Sequence, residues 1–380
     1  MTPSAPITAL ANLIDRARAP RIVIKVGSSL LVAGGTARRD WLATLVAEIA
    51  AARERGQDVI VVSSGAIALG AATLGLEKGG RGSLADAQAA AAVGQIALAG
   101  LWAELLGAHG LNAAQLLLTL EDLEDRRRYL NATATLARLL DAGAVPVINE
   151  NDSVATQEIR FGDNDRLAAR VAQAAGASAV LLLSDVDGLY DRNPRDPAAR
   201  LLPEVRGVSA VVRAMADGGS ASGLGSGGMT SKLQAAEIAD RAGIALGIVN
   251  GTHDAPIARA VASGVGTLFL PRGRAGARKA WLGGRLRTRG ALVIDAGAAT
   301  ALARGSSLLA KGVTAVEGTF ARGDAVAIRD AAGATLANGL SEYSAAECMT
   351  LMGRHSSEHA ALLGYAPRSA IVHRDQLAIL

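Results

Sequence analysis

Three groups of residues in this chain have the types and spacing to do chemistry. The first is an acidic stretch, Asn149-Glu150-Asn151-Asp152 followed after a polar link by Gly162-Asp163-Asn164-Asp165. The second is Lys25, inside the apolar run Ile22 to Val26, where a lysine is expensive to bury without a partner. The third is the glycine-rich run from Gly218 to Gly228, which leads through Met229, Thr230 and Ser231 to Lys232. Converging backbone N–H groups at a glycine-rich turn, a helix N-terminus and a lysine in its first turn make a site for phosphate. A single Asp-Asn-Asp would be an ordinary turn, because these side chains bond their own backbone. Two such clusters fourteen residues apart suggest more: a divalent-metal site, an ammonium site, or a carboxylate (Asp165) that holds the two lysines in place.

The elements that must position these groups read as an alternation of strands and helices. Strands are predicted at 21–26, 58–62, near 115–119, and at 144–148, 179–185, 244–250 and 267–270. Helices are predicted at 40–55, 126–142, 167–175 and 229–242. Such an alternation implies a mostly parallel sheet covered on both faces, an open αβα sandwich. The acidic stretch then lies just beyond the end of the strand at 144–148, where ligands bind in open α/β sheets. Gly223, Gly225 and Gly228 satisfy G-x-G-x-x-G, but no strand precedes them, and the chain has no Gly-Lys pair of the P-loop kind.

After Pro271 the pattern changes. A basic, glycine-rich linker over 272–288 leads to short β-like runs at 291–295, 325–329 and 334–338, with helices near 296–304 and 345–352. The expected organisation is a domain over 1–271, the linker, and a small β-rich domain over 289–380.

Composition narrows the function classes. With 50% hydrophobic and 19% charged residues, the chain is globular. Aromatics are only 3%, so its cores are built from aliphatic residues. A single cysteine, Cys348, excludes an internal disulfide or a thiolate metal cluster, fits a reducing cytoplasm, and reads as a small buried hydrophobe. The N-terminus shows no apolar signal segment. The charge-free run between Asp86 and Glu104 reads as a buried helix rather than a membrane span. The formal net charge is +4, yet seven cations without an acid lie between Arg272 and Arg289, so the rest of the chain is net negative. His355-Ser356-Ser357-Glu358 resembles a metal-ligand or acid/base cluster but reads as a helix-capping or surface segment.

Several segments together resemble the glutamate 5-kinase family of the amino-acid kinase superfamily, in the form with a C-terminal PUA domain. They are Ile24-Lys25-Val26-Gly27-Ser28-Ser29, Ser63-Ser64-Gly65-Ala66-Ile67, Ile148-Asn149-Glu150-Asn151-Asp152, Phe161-Gly162-Asp163-Asn164-Asp165, Ser184-Asp185-Val186-Asp187-Gly188-Leu189-Tyr190, and Gly225-Ser226-Gly227-Gly228-Met229-Thr230-Ser231-Lys232. In the second domain Arg304 to Leu309, Gly318 to Asp324 and Leu363-Gly364-Tyr365 are similar to the PUA portion.

The resemblance implies ATP-dependent phosphorylation of the side-chain carboxylate of L-glutamate, the first step of proline biosynthesis, in the cytoplasm. It assigns Lys25, Asp165 and Lys232 to catalysis, and Ser64, Asp152 and Asn164 to glutamate. It assigns Lys25, Ser184, Asp185, Ser226, Gly227, Gly228, Met229, Thr230, Ser231 and Lys232 to ATP. Ser184 and Ser226 stand where the family often has threonine, and Thr230-Ser231 reverses the commoner order; each keeps its hydroxyl. Mg²⁺ is expected with ATP rather than in a protein cage. The resemblance further implies a homo-oligomer, dimer or tetramer, inhibited by L-proline. Kinases acting on aspartate, N-acetylglutamate or UMP are the alternatives in this fold, and RNA binding by the PUA domain is the alternative from another class.

Overall fold

The computed structural model describes residues 6–154, 163–217, 226–272 and 288–379. The chain divides into two compact units, Met1–Glu124 with Ala132–Arg272, and Asp125–Asn131 with Gly273–Leu380.

In the first unit the strands are β1 (Arg21–Val26), a two-residue hairpin of β2 (Val32–Ala33) and β3 (Thr36–Ala37), β4 (Asp58–Ser63), β5 (Ala113–Leu118), β6 (Val145–Glu150), β7 (Ala179–Ser184), β8 (Glu204–Arg206), β9 (Ala245–Asn250) and β10 (Thr267–Leu270). All but the hairpin form one eight-stranded sheet in the order β5-β6-β4-β1-β7-β9-β10-β8. Every pairing is parallel except β9 with β10. The helices are α1 (Ser28–Leu31), α2 (Arg39–Glu54), α3 (Ala66–Leu74), α4 (Leu84–Gly107), α5 (Leu120–Glu124), α6 (Arg126–Asp141, whose residues up to Asn131 belong to the second unit), α7 (Asp163–Ala175), α8 (Ala210–Asp217), α9 (Ser226–Ala242) and α10 (Pro256–Ser263).

Side chains alternate across a strand, and β1 uses both faces. Ile22, Ile24 and Val26 join a core with Trp41, Leu42 and Leu45 of α2 and with Leu98 and Trp102 of α4. Lys25 therefore shares the opposite face with Val23, where α7 packs on β1 and α9 packs on α7. The strand order reverses about β1, which has β4 on one side and β7 on the other, so the crevice beyond their C-terminal ends is the expected ligand position.

Two elements differ from the sequence expectation in ways that matter for the site. β6 runs on to Glu150, so Asn149 and Glu150 belong to the strand. Helix α7 begins at Asp163, so the second acidic cluster is a helical first turn rather than a loop. A carboxylate is favoured there by the unpaired N–H groups of the helix start. The strand β8 and helices α5 and α8 lie in stretches too short or too polar to announce themselves.

The start of α3 lines the crevice, and α4 packs against α3 behind it. Among the described residues α4 is the one helix long and apolar enough to cross a membrane by length and composition. Here Leu98, Trp102 and Leu106 pack into the sheet core. Its crossing with α3 is in backbone contact: a Cβ added at Gly94 would lie 1.8 Å from the Ala66 carbonyl oxygen, and one at Gly70 1.8 Å from that of Ala90.

The second unit holds β11 (Gly290–Ile294), β12 (Leu308–Leu309), β13 (Val313–Gly318), β14 (Ala325–Arg329), β15 (Thr335–Leu340), β16 (Ala370–Val372) and β17 (Leu377–Ile379). Five of them form a sheet in the order β13-β11-β14-β15-β17, and β12 pairs with β16. Helices at Ala296–Ala303 and Ala345–Leu351 stand where the sequence places them. Cys348 and Tyr343 are core residues. Glu358 caps the turn at Ser356–Glu358, its Oε1 accepting from the His355 N–H at 3.0 Å, the capping role read from sequence. Residues 273–287 of the basic linker lie outside the described residues. Arg272, the first of its cations, belongs to the first unit and pairs with Asp240 at 2.7 Å.

Candidate active site

A cleft of about 160 Å³ opens at the C-terminal ends of β1, β4, β6 and β7. Its floor holds three ionised groups. Asp165, in the first turn of α7, receives Lys25 Nζ on Oδ1 at 2.6 Å and Lys232 Nζ on Oδ2 at 3.2 Å. The Lys25 contact is the shorter ion pair, although its angle falls outside a regular hydrogen bond at Oδ1. All three residues are buried. One carboxylate against two ammonium groups leaves a net positive charge at the base of the cleft, which is what a polyanion requires.

Burial alone would push the Asp165 carboxyl up. Lys25 and then Lys232 outweigh it and hold the group below the usual carboxylate range. Asp165 is thus an anion at neutral pH, and its structural work is to bring lysines from a central strand and from α9 to one point. Lys232 also donates to the Gly228 carbonyl at 3.4 Å, one turn back in α9.

Beside the lysines runs an amide network. Asn149 accepts the Glu150 backbone N–H on Oδ1 at 2.9 Å and donates from Nδ2 to Gln95 at 2.8 Å. With its orientation fixed in this way, Asn149 Oδ1 also accepts Asn164 Nδ2 at 3.1 Å. The same Asn164 amide donates to Ser64 Oγ at 2.8 Å. Asn164 Oδ1 is left buried with no hydrogen-bond partner among the described residues, in a residue that lines the cleft. Ser64 follows the end of β4, and its neighbour Ser63 is fixed by the buried Trp102, whose Nε1 donates to Ser63 Oγ at 3.0 Å.

The walls come from backbone-rich turns. Gly27, Ser28 and Ser29 follow β1, and Gly65 to Ala68 open α3, where Gly65 takes φ +116°. Ser184 and Asp185 close β7, with Ser184 Oγ donating to Asp185 Oδ1 at 3.2 Å. Asp152 is buried just past β6, and Arg81, an exposed residue in the turn before α4, lines the same cleft and interacts with Asp152.

The cleft therefore gathers Lys25, Ser64, Asp152, Asn164, Asp165, Ser184, Asp185, Gly228 and Lys232 from the sequence-predicted set. Met229, Thr230 and Ser231 lie in the first turns of α9 but do not line it. Ser226 and Gly227 begin that helix; their side chains, and the glycine-rich residues 218–225, lie outside the described residues, as do Phe161 and Gly162. Sequence reasoning missed Arg81. It sits in a glycine-rich turn, Lys78-Gly79-Gly80-Arg81-Gly82, that looks like a plain connection until the fold brings it to the cleft.

Among the described residues no group of three or more His, Cys, Asp or Glu side chains is placed to hold a metal ion. Asp165 is committed to two lysines, and Asp185 accepts the Ser184 hydroxyl. The arrangement can bind a phosphate chain through cations and turn N–H groups, and it offers acceptors and donors beside it for a small charged partner.

Comparisons with known proteins converge on one family. The model of the amino acid kinase family matches residues 20–250, and that of the PUA domain matches residues 290–363. The chain is 72% identical over 375 residues to a glutamate 5-kinase from Novosphingobium aromaticivorans, covering 98% of this chain and 100% of the relative. It is 60% identical over 370 residues to a glutamate 5-kinase from Sphingopyxis alaskensis, covering 97% and 100%. Among solved structures, carbamate kinase from Giardia lamblia bound to AMP-PNP aligns with a TM-score of 0.48 at 19% identity, covering 66% of this chain and 98% of that one.

Proposed function

The chain belongs to the amino acid kinase family and, within it, to the glutamate 5-kinases, and we propose that it transfers the γ-phosphoryl group of ATP to the side-chain carboxylate of L-glutamate, giving L-glutamyl 5-phosphate and ADP. The observation that carries this reading is the Lys25–Asp165–Lys232 cluster beside the Asn164–Ser64 pair: a cationic phosphate site adjoining a small polar acceptor site.

The chemistry needs little from acid or base. The acceptor carboxylate is ionised at pH 7, so no proton has to be removed. One carboxylate oxygen attacks the γ-phosphorus in line, the bond to the β,γ-bridging oxygen breaks, and the electron pair leaves with ADP. The obstacle is two anions meeting. It is met by positioning and by cations at the transferring group. Lys25 and Lys232 are fixed before substrate arrives, so their charge develops no reorganisation penalty during transfer. Ser184, Asp185 and residues 226–232 at the start of α9 receive the nucleotide, the helix start favouring phosphate.

For the acceptor, Asp152 takes the α-ammonium by a charge-assisted bond, and Asn164 Oδ1, which has no partner among the described residues, accepts from the same group. Ser64 is held ready by Asn164. Carried on ATP, a divalent ion such as Mg²⁺ would supply charge neutralisation at the transferring phosphate; Asp165 is committed to two lysines and Asp185 accepts the Ser184 hydroxyl, which fits that mode better than a protein cage.

The single buried cysteine and the use of ATP and an amino acid fit a cytoplasmic enzyme of proline biosynthesis. Homo-oligomer formation and inhibition by L-proline extend the same reading. In the described part of the second unit Phe320 and Tyr343 are core residues, leaving Tyr365 as the one exposed aromatic, which offers little for stacking on RNA bases. The reading is tested by ADP release with MgATP and, in turn, L-glutamate, L-aspartate, N-acetyl-L-glutamate and UMP. L-Glutamate should exceed each of the others by orders of magnitude in kcat/KM, and preference for any other acceptor would sink it.

A further inference from the structure

We propose that Arg81 is the residue that recognises the α-carboxylate of the acceptor, forming with Asp152 a two-point clamp for an α-amino acid. The inference rests on the glutamate-kinase reading above and goes beyond it by supplying the counter-ion that reading leaves unassigned. An α-amino acid carries an ammonium and a carboxylate on one carbon. A site that selects it needs an anion and a cation side by side. Among the cations lining the cleft, Lys25 and Lys232 are both bound to Asp165 at the phosphate end. Arg81 is the third, and it interacts with Asp152, the residue suited to the ammonium. The cleft thus presents, besides the lysine pair, a cation and an anion that interact with each other, and an α-amino acid matches them with opposite signs.

The turn that carries Arg81 is built to hold it. Lys78, Gly79 and Gly80 all take positive φ, at +51°, +62° and +74°. Gly80 is buried, and a Cβ there would lie 2.9 Å from the Ala71 side chain of α3. The Arg81 N–H returns to the Lys78 carbonyl at 3.3 Å. Two residues on, Ser83 caps α4, its Oγ accepting the Asp86 N–H at 3.0 Å. The backbone at Arg81 is therefore anchored in a turn between two helices that are themselves in backbone contact. Arg81 is exposed at the cleft rim, and partial desolvation there pushes its guanidinium below its ordinary value while the Asp152 charge opposes that shift. A guanidinium also presents paired N–H groups that match a carboxylate edge, which an ammonium cannot.

The test is steady-state kinetics of Arg81→Ala and Arg81→Lys, with glutarate as inhibitor. Arg81→Ala should raise KM for L-glutamate about tenfold to a hundredfold, the loss of a charge-assisted bond, with kcat changed only a few-fold and KM for ATP unmoved. Arg81→Lys should recover part of that loss. Glutarate keeps both carboxylates and lacks the ammonium served by Asp152. Its competitive inhibition against L-glutamate should weaken in Arg81→Ala by a similar factor. An unchanged KM for L-glutamate, an equal rise in KM for ATP, or a glutarate inhibition constant that does not move would each overturn the assignment. If the unsubstituted protein releases no ADP with L-glutamate, the functional reading fails and takes the clamp with it. If the unsubstituted protein is active and Arg81→Ala matches it, only the clamp fails.

Discussion

Lys25 Nζ lies 2.6 Å from Asp165 Oδ1, joining the central strand of the sheet to the first turn of α7 in a buried ion pair. That contact explains why a lysine can stand in an apolar strand at all, and it delivers the charge to the strand's C-terminal end. It follows that Lys25→Ala or Lys232→Ala should lower kcat about 10²–10³-fold, the loss seen when one preorganised donor to a developing charge is removed. KM for L-glutamate should change far less. The check is coupled ADP release at saturating substrates, and near-normal turnover in either variant would mean that the pair does not act on the transferring group.

Removing the anion has a different signature. Asp165→Asn leaves two lysine ammonium groups buried around a neutral amide. It should lower folding stability by about 3–5 kcal/mol at pH 7 as well as activity. The pH dependence has a definite sign. The folded-state pKa of Asp165 is depressed, so its stabilising contribution is fully present above the unfolded value of about 3.9 and is lost as pH falls through the lower folded value. Urea unfolding across pH 3 to 7 should therefore show an acid loss in the unsubstituted protein that is diminished in Asp165→Asn. Parallel curves would show that Asp165 is not the linked group.

The α3–α4 crossing should tolerate no added methyl. In Gly94→Ala the new Cβ would meet the Ala66 carbonyl oxygen at 1.8 Å, so the helices must separate. The expected loss is at least the 1–3 kcal/mol of ordinary overpacking. Because Ala66 opens α3 only two residues after Ser64, the substrate KM should rise as well. Thermal unfolding and kinetics on the same preparation measure both effects. A variant as stable and as active as its parent would contradict the backbone contact.

Cys348 should be silent. Burial pushes its thiol up to about 12, the Ser341 hydroxyl opposing and the Glu347 charge adding to the rise. Its thiolate is therefore scarce at pH 8, and the side chain is enclosed in the second core. An aromatic disulfide reagent should titrate no thiol in the folded protein and one in guanidinium chloride. Fast reaction in the folded state would show that this core opens.

Much of this arrangement is legible in the sequence because it is local. Apolar runs of strand length ending in small or polar residues fix β1, β4, β6 and β7, and with them the end of the sheet that carries the site. A lysine within such a run points to a buried partner. What cannot be read locally is which groups converge. Asp163 to Asp165 look like turn residues because the same side chains favour turns and helix starts; only the packing of α7 on β1 decides between them. Arg81 gives no signal, since its turn resembles any glycine-rich connection and its role depends on Asp152 at the end of a distant strand. In the second unit, β12, β13, β16 and β17 escape detection because strands of two or three residues, or with exposed alternate positions, carry too little periodicity.

The central claim is that the lysine pair serves transfer of phosphate to the side chain of L-glutamate. Its most direct measurement combines ADP release from MgATP and L-glutamate with trapping of the acyl phosphate by hydroxylamine. The account predicts γ-glutamyl hydroxamate formed in step with ADP by the unsubstituted protein, with both falling together in Lys232→Ala. ADP release without hydroxamate, or hydroxamate formation that survives loss of Lys232, would contradict it.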